Sequence, residues 1–385
     1  IVCGFNFRKN ADTETWTVLY QVYYILKNTF VHKDLDSTKM IYGAIKGMVE
    51  TTEDPYTRFI EPKSYKEMQT RLEGQFSGIG IHIGMKDKQL TVISPIKGTP
   101  AFKAGLEVLD KIMTINGEST KDMSLEEAVS KIRGKKGSKV ILGIARKGAT
   151  KIIDIPITRD VIVVNAIEES KIINAKHKIG YIKLATFENK GAVDEFVEAF
   201  TKLEKEGMKN CIIDLRNNGG GLLSNAIDLT SIFIKNKVVV YTIDRNNNKQ
   251  ALYTEKGDYT KFRIPLVILI NQASASASEI FAGAIMDHKR GATIGEKSFG
   301  KASVQNIREL ADNSALLVTV AKYLTPSGHD ISEKGIEPNI VVKVPTETLK
   351  TLFDPTVKHT IEDDPQLVKA ISYLKQKPGI FGRRR

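Results

Sequence analysis

At 385 residues the chain is long enough for two or three domains with separate cores, and 41% hydrophobic with 26% charged residues is an ordinary globular balance. Its 57 basic residues exceed the 45 acidic ones, for a net charge of +12, but they are spread along the chain, which argues for solvated faces and against a nucleic-acid footprint; peripheral association with an anionic membrane surface stays open. Two cysteines make no disulfide framework, no His-Glu-x-x-His or paired-cysteine spacing offers metal ligands, and no apolar run reaches the roughly eighteen residues that span a bilayer. The first residues carry no signal-peptide pattern and the chain does not begin with Met, as expected of a trimmed or mature form.

Residues 1–73 read as a helical arm, with Val18, Val22, Tyr23, Leu26 and Phe30 on one face of a first helix and Ile41, Ile45 and Met48 along a second. This arm is expected to be a cap or an oligomerisation element. Residues 74–148 read as a strand-rich module, with strands at 80–84, 89–93, 111–115 and 139–145 and a helix near 125–132. From 149 to 345 strands and helices alternate: a strand at 180–184, an amphipathic helix at 192–203, and apolar strands running into glycines at 219–221 and into serines at 274–278. That alternation predicts an α/β layer built on a mainly parallel sheet. Polar turns are expected at 244–249 and 325–328. Residues 346–385 form an acidic-then-basic tail with one helix near 365–376, either a dimerisation element or a loosely held end.

Three segments carry chemistry. Residues 271–280 read Asn-Gln-Ala-Ser-Ala-Ser-Ala-Ser-Glu-Ile, after the continuous apolar run Ile264 to Ile270 and before an alanine-rich helix. Small residues where a strand breaks into a helix let a substrate backbone approach, and the first helical amides can receive an anion. A serine there can be a nucleophile, although helix capping explains any single serine, and chemistry alone does not choose among Ser274, Ser276 and Ser278. The second segment, Asp214-Leu215-Arg216-Asn217-Asn218-Gly219-Gly220-Gly221, can aim main-chain amides at an oxyanion; a plain tight turn would look the same. In the third, Lys301 sits between Gly300 and small residues, where a desolvated amine can serve a serine as general base without a histidine. Of the six histidines only His288 follows on the serine's own helix, roughly three turns along, where a solvated helix end accounts for it.

Taken together, these segments resemble the carboxyl-terminal processing proteases, a family of Ser-Lys peptidases with a crotonase-like core and an inserted PDZ domain. The resemblance runs from about residue 16 to about residue 342 and rests on motifs in the same order: Asp-Pro-Tyr-Thr at 54–57, Phe-Ser-Gly-Ile-Gly-Ile at 76–81, Leu-Arg-Asn-Asn-Gly-Gly-Gly, Ser-Ala-Ser-Ala-Ser-Glu and Phe-Gly-Lys-Ala-Ser-Val-Gln. It implies an α/β fold with helical N- and C-terminal arms, a PDZ domain at 74–148 and the protease core at 149–345. It puts the nucleophile on Ser276, the base on Lys301 and the lysine-orienting amide on Gln305. Were residues 301–305 fully extended, their terminal α-carbons would lie roughly 13 Å apart, so a direct Lys301 to Gln305 contact requires a bend. Ala277 and a glycine of the 219–221 run, Gly220 or Gly221, would donate to the oxyanion.

In the PDZ segment the resemblance implies that Gly78, Ile79, Gly80 and Ile81 receive a peptide's terminal carboxylate while the peptide adds as a strand. Leu109 departs from it, standing where the family usually has Gly, and a turn of different shape is expected there. Arg133, just after the groove helix, would face the core and relay peptide docking to the catalytic pair. The activity implied is a serine endopeptidase trimming protein substrates near an exposed, mostly apolar carboxyl terminus, without cofactor or metal. The partners implied are protein or peptide substrates with free C-termini, an activating or adaptor protein, and further copies of the chain in a homo-oligomer. The implied location is extracytoplasmic, in the periplasm or cell envelope. Two rival readings share these residues: a non-catalytic peptide-binding protein on the same fold, and a protease latent until a partner docks.

Overall fold

The computed structural model describes residues 12–86, 89–96, 98–146, 148–163, 165–255, 263–345, 348 and 359–376. Two compact units divide the chain: residues 1–65 with 305–320, and residues 66–304 with 321–385.

The first unit contains the two expected helices, Asp12–Thr29 and Ser37–Glu50. Asp36 starts the second by accepting from Thr38 N at 2.8 Å and Lys39 N at 3.2 Å, satisfying amides that a helix start leaves unpaired. The apolar stripe of the first helix is exposed at Val18, Val22, Leu26 and Phe30, and the second helix buries none of its residues. The short strand Arg58–Ile60 pairs antiparallel with residues 315–317, and Tyr42 packs on Phe59 while its hydroxyl donates to Asp312 Oδ2 at 2.7 Å.

In the second unit, the strand-rich module is an antiparallel sheet in the order Ile81–Lys86, Gln89–Pro95, Lys111–Ile115, Lys139–Ala145 and Ile153–Thr158. The helix Leu125–Ile132, capped by Ser124 accepting from Glu127 N, closes a core of Ile79, Val92, Ile112, Ala128, Ile132 and Leu142. The sheet continues past residue 148, where the sequence placed the module's end, because Ile155 and Ile157 alternate into the same core. A two-stranded ribbon of Gln75–Gly78 with Asp160–Val163 then joins the module's two chain ends. Leu109 adopts φ 68°, the left-handed conformation that a glycine takes without strain, and its side chain is exposed.

The remainder is a six-stranded sheet in the order Ile167–Asn174, Ile179–Leu184, Asn210–Asp214, Leu266–Ile270, Ala292–Gly295 and Ile340–Val341. Only the first pair is antiparallel, as the strand-helix alternation predicts. Helices Ala192–Lys205, Leu223–Phe233 and Ala277–Asp287 cover one face through Phe196, Phe200, Phe233 and Phe281. Burying one such ring is worth about 1.5–3 kcal/mol. Helix Pro365–Gln376 packs Ala370, Ile371 and Leu374 on the other face, against Ile212, Val267 and Leu269, while residues 349–358 and 377–385 of the tail lie outside the described residues. A sheet covered on both faces explains why its central strands read as unbroken apolar runs. Because strands 210–214, 266–270 and 292–295 are parallel and adjacent, the loops that follow them emerge at one edge of the sheet. These loops carry the glycines, the serines and Lys301.

Candidate active site

Ser276 is the N-cap of helix Ala277–Asp287 and holds φ 55°, ψ −115°, a conformation that costs a non-glycine residue about 1–3 kcal/mol. The three serines, equivalent by local chemistry, are separated by packing. Ser274 is fully buried and its hydroxyl donates to Leu215 O at 2.8 Å; Ser278 is fully buried and donates to Asn218 O at 2.9 Å. Ser276 alone of the three is partly exposed. The next amide, that of Ala277, donates to no acceptor among the described residues, as a helix start allows.

Glu279, which the sequence analysis did not single out, organises the site. It is 1% exposed, and its Oε2 accepts both Ser276 N at 2.8 Å and Lys301 N at 2.9 Å. Its Oε1 accepts Ser298 Oγ at 2.6 Å and Gly300 N at 2.7 Å. Burial pushes its carboxyl above the usual carboxylate range, against the pull of these four hydrogen bonds. The Tyr323 hydroxyl lies between the main-chain carbonyls of Lys301 and Ser276, donating to Lys301 O and 3.3 Å from Ser276 O. The main chains of Ser276 and Lys301 are thus joined twice, once through their amides and once through their carbonyls. A serine followed three residues later by glutamate is a capping signature and could have flagged Glu279; nothing local marks Tyr323.

The glycine loop closes over the serine. Asn217 adopts φ 65° and exchanges hydrogen bonds with the Asn271 side chain, Asn217 N donating to Asn271 Oδ1 at 3.0 Å and Asn271 Nδ2 to Asn217 Oδ1 at 2.8 Å. Asn218 O accepts Ala275 N at 3.1 Å, so the loop and the serine segment are stitched main chain to main chain. At Gly220, φ 96°, a Cβ would stand 2.6 Å from Ala275 O and 2.9 Å from Ala277 N; at Gly221, φ 147°, it would stand 2.1 Å from Glu188 N. Only glycine fits either place. The two differ in their amides: Gly220 N donates to Asn218 Oδ1 at 2.9 Å, while Gly221 N has no acceptor among the described residues.

Lys301 is partly exposed. Gln305 belongs to the first unit, where its side-chain amide donates to Thr319 Oγ1 at 3.3 Å. His288 stands at the helix end as expected, but its ring is bonded to Val238 O at 2.7 Å instead of being solvated.

In the PDZ segment, Gly78 ends the ribbon, Ile79 is buried, and Gly80 turns the chain at φ 78° with its carbonyl accepting Ile96 N at 2.9 Å and Thr99 Oγ1 at 3.0 Å. Ile81 begins strand Ile81–Lys86, an edge of its sheet. Arg133 follows the groove helix Leu125–Ile132 as its C-cap. Its guanidinium lies 3.9 Å from Glu67 Oε2 in helix Pro62–Leu72 and 5.6 Å from the Phe76 ring centre. Burial, aided by nearby Arg71, lowers its pKa.

Among known families, residues 178–342 match Peptidase family S41, residues 67–145 match the PDZ domain, and residues 5–64 match the activating protease CtpB N-terminal domain. The class is thus that of PDZ-bearing S41 peptidases. The carboxyl-terminal-processing protease of Synechocystis sp. is 37% identical over 345 residues, covering 88% of this chain and 79% of the relative. The carboxy-terminal processing protease CtpA of Bacillus subtilis is 39% identical over 342 residues, 88% of this chain and 72% of the relative. Among solved structures, a photosystem II D1 C-terminal processing protease is 30% identical with a TM-score of 0.53, covering 85% of this chain and 92% of its own. The chain belongs to the carboxyl-terminal-processing protease family and is a serine-type enzyme of that class.

Proposed function

We propose that the enzyme cleaves proteins near an exposed, mostly apolar carboxyl terminus by a Ser-Lys mechanism, with Ser276 as nucleophile, Lys301 as base and Gln305 as the amide that orients it, on a core of crotonase-like type. One observation carries the reading: a single buried carboxylate oxygen of Glu279 accepts the amides of both Ser276 and Lys301. In the reaction, the neutral Lys301 amine takes the Ser276 hydroxyl proton as Oγ bonds to the scissile carbonyl carbon. The carbonyl oxygen becomes an oxyanion received by the Ala277 amide and a glycine amide of the loop. The lysine then returns its proton to the leaving amine as the C–N bond breaks. Water, deprotonated in the same way, releases the acyl-enzyme. Gly221 suits the second oxyanion donor in this arrangement, since the Gly220 amide is already given to Asn218.

The PDZ segment supplies the substrate's address. Its edge strand Ile81–Lys86 can extend by an added peptide strand, whose carboxylate would meet the amides of 78–81. Arg133, packed on Phe76 beside that loop, is positioned to respond to docking through Glu67 instead of through the core directly. In the latent alternative, a docked peptide or adaptor would shift the enzyme to the arrangement that cleaves. The exposed apolar face of the first helix fits a homo-oligomer, and an extracytoplasmic location fits substrates with free C-termini.

The test is cleavage of a peptide with a free apolar C-terminus by Ser276→Ala, Lys301→Ala and Lys301→Arg. Each should lose at least about 10³-fold in kcat, the arginine variant because a guanidinium holds its proton near neutral pH. Parent-like cleavage by Lys301→Ala would overturn the mechanism. A non-catalytic binder would show no cleavage by the parent enzyme, with or without added PDZ peptide; a latent enzyme would gain rate when that peptide is added.

A further inference from the structure

We infer that the C-terminal segment is part of the catalytic apparatus: Asp364 and Gln366 are positioning residues that hold the oxyanion loop in register through Arg216. The inference rests on the proposed use of that loop. Arg216 immediately precedes Asn217 and the three glycines, and its guanidinium is 4% exposed. A buried guanidinium must find acceptors for its N–H groups, and each lost acceptor leaves an orphaned buried donor. Asp214 supplies one side, accepting Nε at 3.0 Å and Nη2 at 2.6 Å, and is itself anchored by the Tyr181 hydroxyl at 2.8 Å. The other side comes from far along the chain: Asp364 Oδ2 lies 2.8 Å from Nη2, and Gln366 Oε1 accepts Nη1 at 3.0 Å. Burial alone would neutralise Asp214 and Arg216, but their mutual charge and hydrogen bonds hold Asp214 below, and Arg216 well above, its ordinary value.

From Arg216 the restraint passes directly into the loop. Asn217 is tied to Asn271, and Asn218 takes the Ala275 amide and the Ser278 hydroxyl on its carbonyl and the Gly220 amide on its side chain. The loop's far end is fixed by the main chain, with Phe187 N donating to Gly220 O and Leu222 N to Phe187 O. The C-terminal helix therefore secures the entry of a loop whose amides must meet a developing charge to within a fraction of an ångström. Asp364 separates this task from helix capping. Its Oδ1 accepts Gln366 N and Leu367 N, each at 3.0 Å, while Oδ2 serves Arg216.

Asp364→Asn in the full chain keeps a good N-cap and turns an amide donor toward the Arg216 donors. Two quantities are read: kcat and KM on a C-terminal peptide substrate, and the inhibition constant of a peptide aldehyde whose hemiacetal oxygen occupies the oxyanion position. The variant should lose about 10- to 100-fold in kcat, less than or equal to the loss of one oxyanion donor, with KM within about twofold and aldehyde binding weakened by the same factor as kcat. Asp364→Glu, which restores the charge, should recover most of that loss. Gln366→Met removes the Nη1 acceptor and the Gln366 Nε2 bond to Val342 O, leaves Asp364 in place, and carries the same expectation should Asp364→Asn not fold. A parent-like kcat in a folded variant, or a kcat loss with unchanged aldehyde affinity, overturns the positioning role while leaving the Ser-Lys reading intact. An aldehyde that inhibits the parent without bonding to Ser276 overturns the reading itself, and this inference with it.

Discussion

Gly220 and Gly219 are neighbours in sequence and opposites in structure, which makes their alanine variants a sharp test of the site's geometry. At Gly219 an added Cβ meets nothing within 4 Å, and the residue is exposed. At Gly220 the same methyl would stand 2.6 Å from Ala275 O, 2.9 Å from Ala277 N and 2.9 Å from Ser276 Cβ, where ordinary contact begins at 3.4 Å. Relief requires the loop and the serine segment to part by about 0.8 Å, the difference between 3.4 and 2.6 Å, and the obstructing atoms are backbone that cannot swing aside. The φ of 96° adds strain of about 1–3 kcal/mol and the overpacking about as much again, so Gly220→Ala should lower stability by about 2–6 kcal/mol. A displacement approaching 1 Å at the nucleophile should cost about 100-fold in kcat. Gly219→Ala should stay within about 0.5 kcal/mol and about twofold in kcat. Urea unfolding monitored by circular dichroism gives the stabilities, and steady-state cleavage of a fluorogenic peptide gives the rates. Parent-like kcat in Gly220→Ala, or equal damage from Gly219→Ala, would refute the proposed closure of the loop on Ser276.

Two further outcomes follow from the groups that join Ser276 to Lys301. Glu279→Gln keeps the shape but turns one carboxylate oxygen into a donor among four donors, so it should destabilise by about 2–4 kcal/mol and lower kcat at least about 10-fold; unchanged unfolding and unchanged kcat would dismiss its bridging role. Because burial raises the folded pKa of Glu279 above its reference of 4.5, the folded state binds the proton more tightly, and this group's contribution to stability falls as pH rises from about 4.5 through that raised value. Glu279→Gln should remove that slope, which stability measured between pH 4 and pH 7 detects. Tyr323→Phe removes the hydroxyl between the carbonyls of Ser276 and Lys301 and should cost about 1–2 kcal/mol with a kcat loss exceeding the change in KM; a change in KM alone would assign the tyrosine to substrate binding.

What the sequence determined by itself was everything that local physics controls. Apolar runs at 211–213 and 266–270 announced strands buried on both faces, and the helices at 125–132 and 365–376 begin at Ser124 and Asp364, whose side chains accept helical amides. Glycines at 219–221 announced a close backbone approach, and the motif order named the family. The strand at 153–158 escaped notice although its isoleucines alternate, because Pro156 and two polar residues interrupt the run and only pairing with 139–145 gives it a partner. Only tertiary structure shows that the hydroxyls of Ser274 and Ser278 are taken up by the carbonyls of Leu215 and Asn218, some sixty residues earlier. It also decided that Glu279 and Tyr323 join Ser276 to Lys301 and that Asp364 and Gln366 reach Arg216. A buried donor is satisfied by whichever acceptor the fold brings within about 3 Å, and that pairing depends on sheet order and packing, which no periodicity along the chain records.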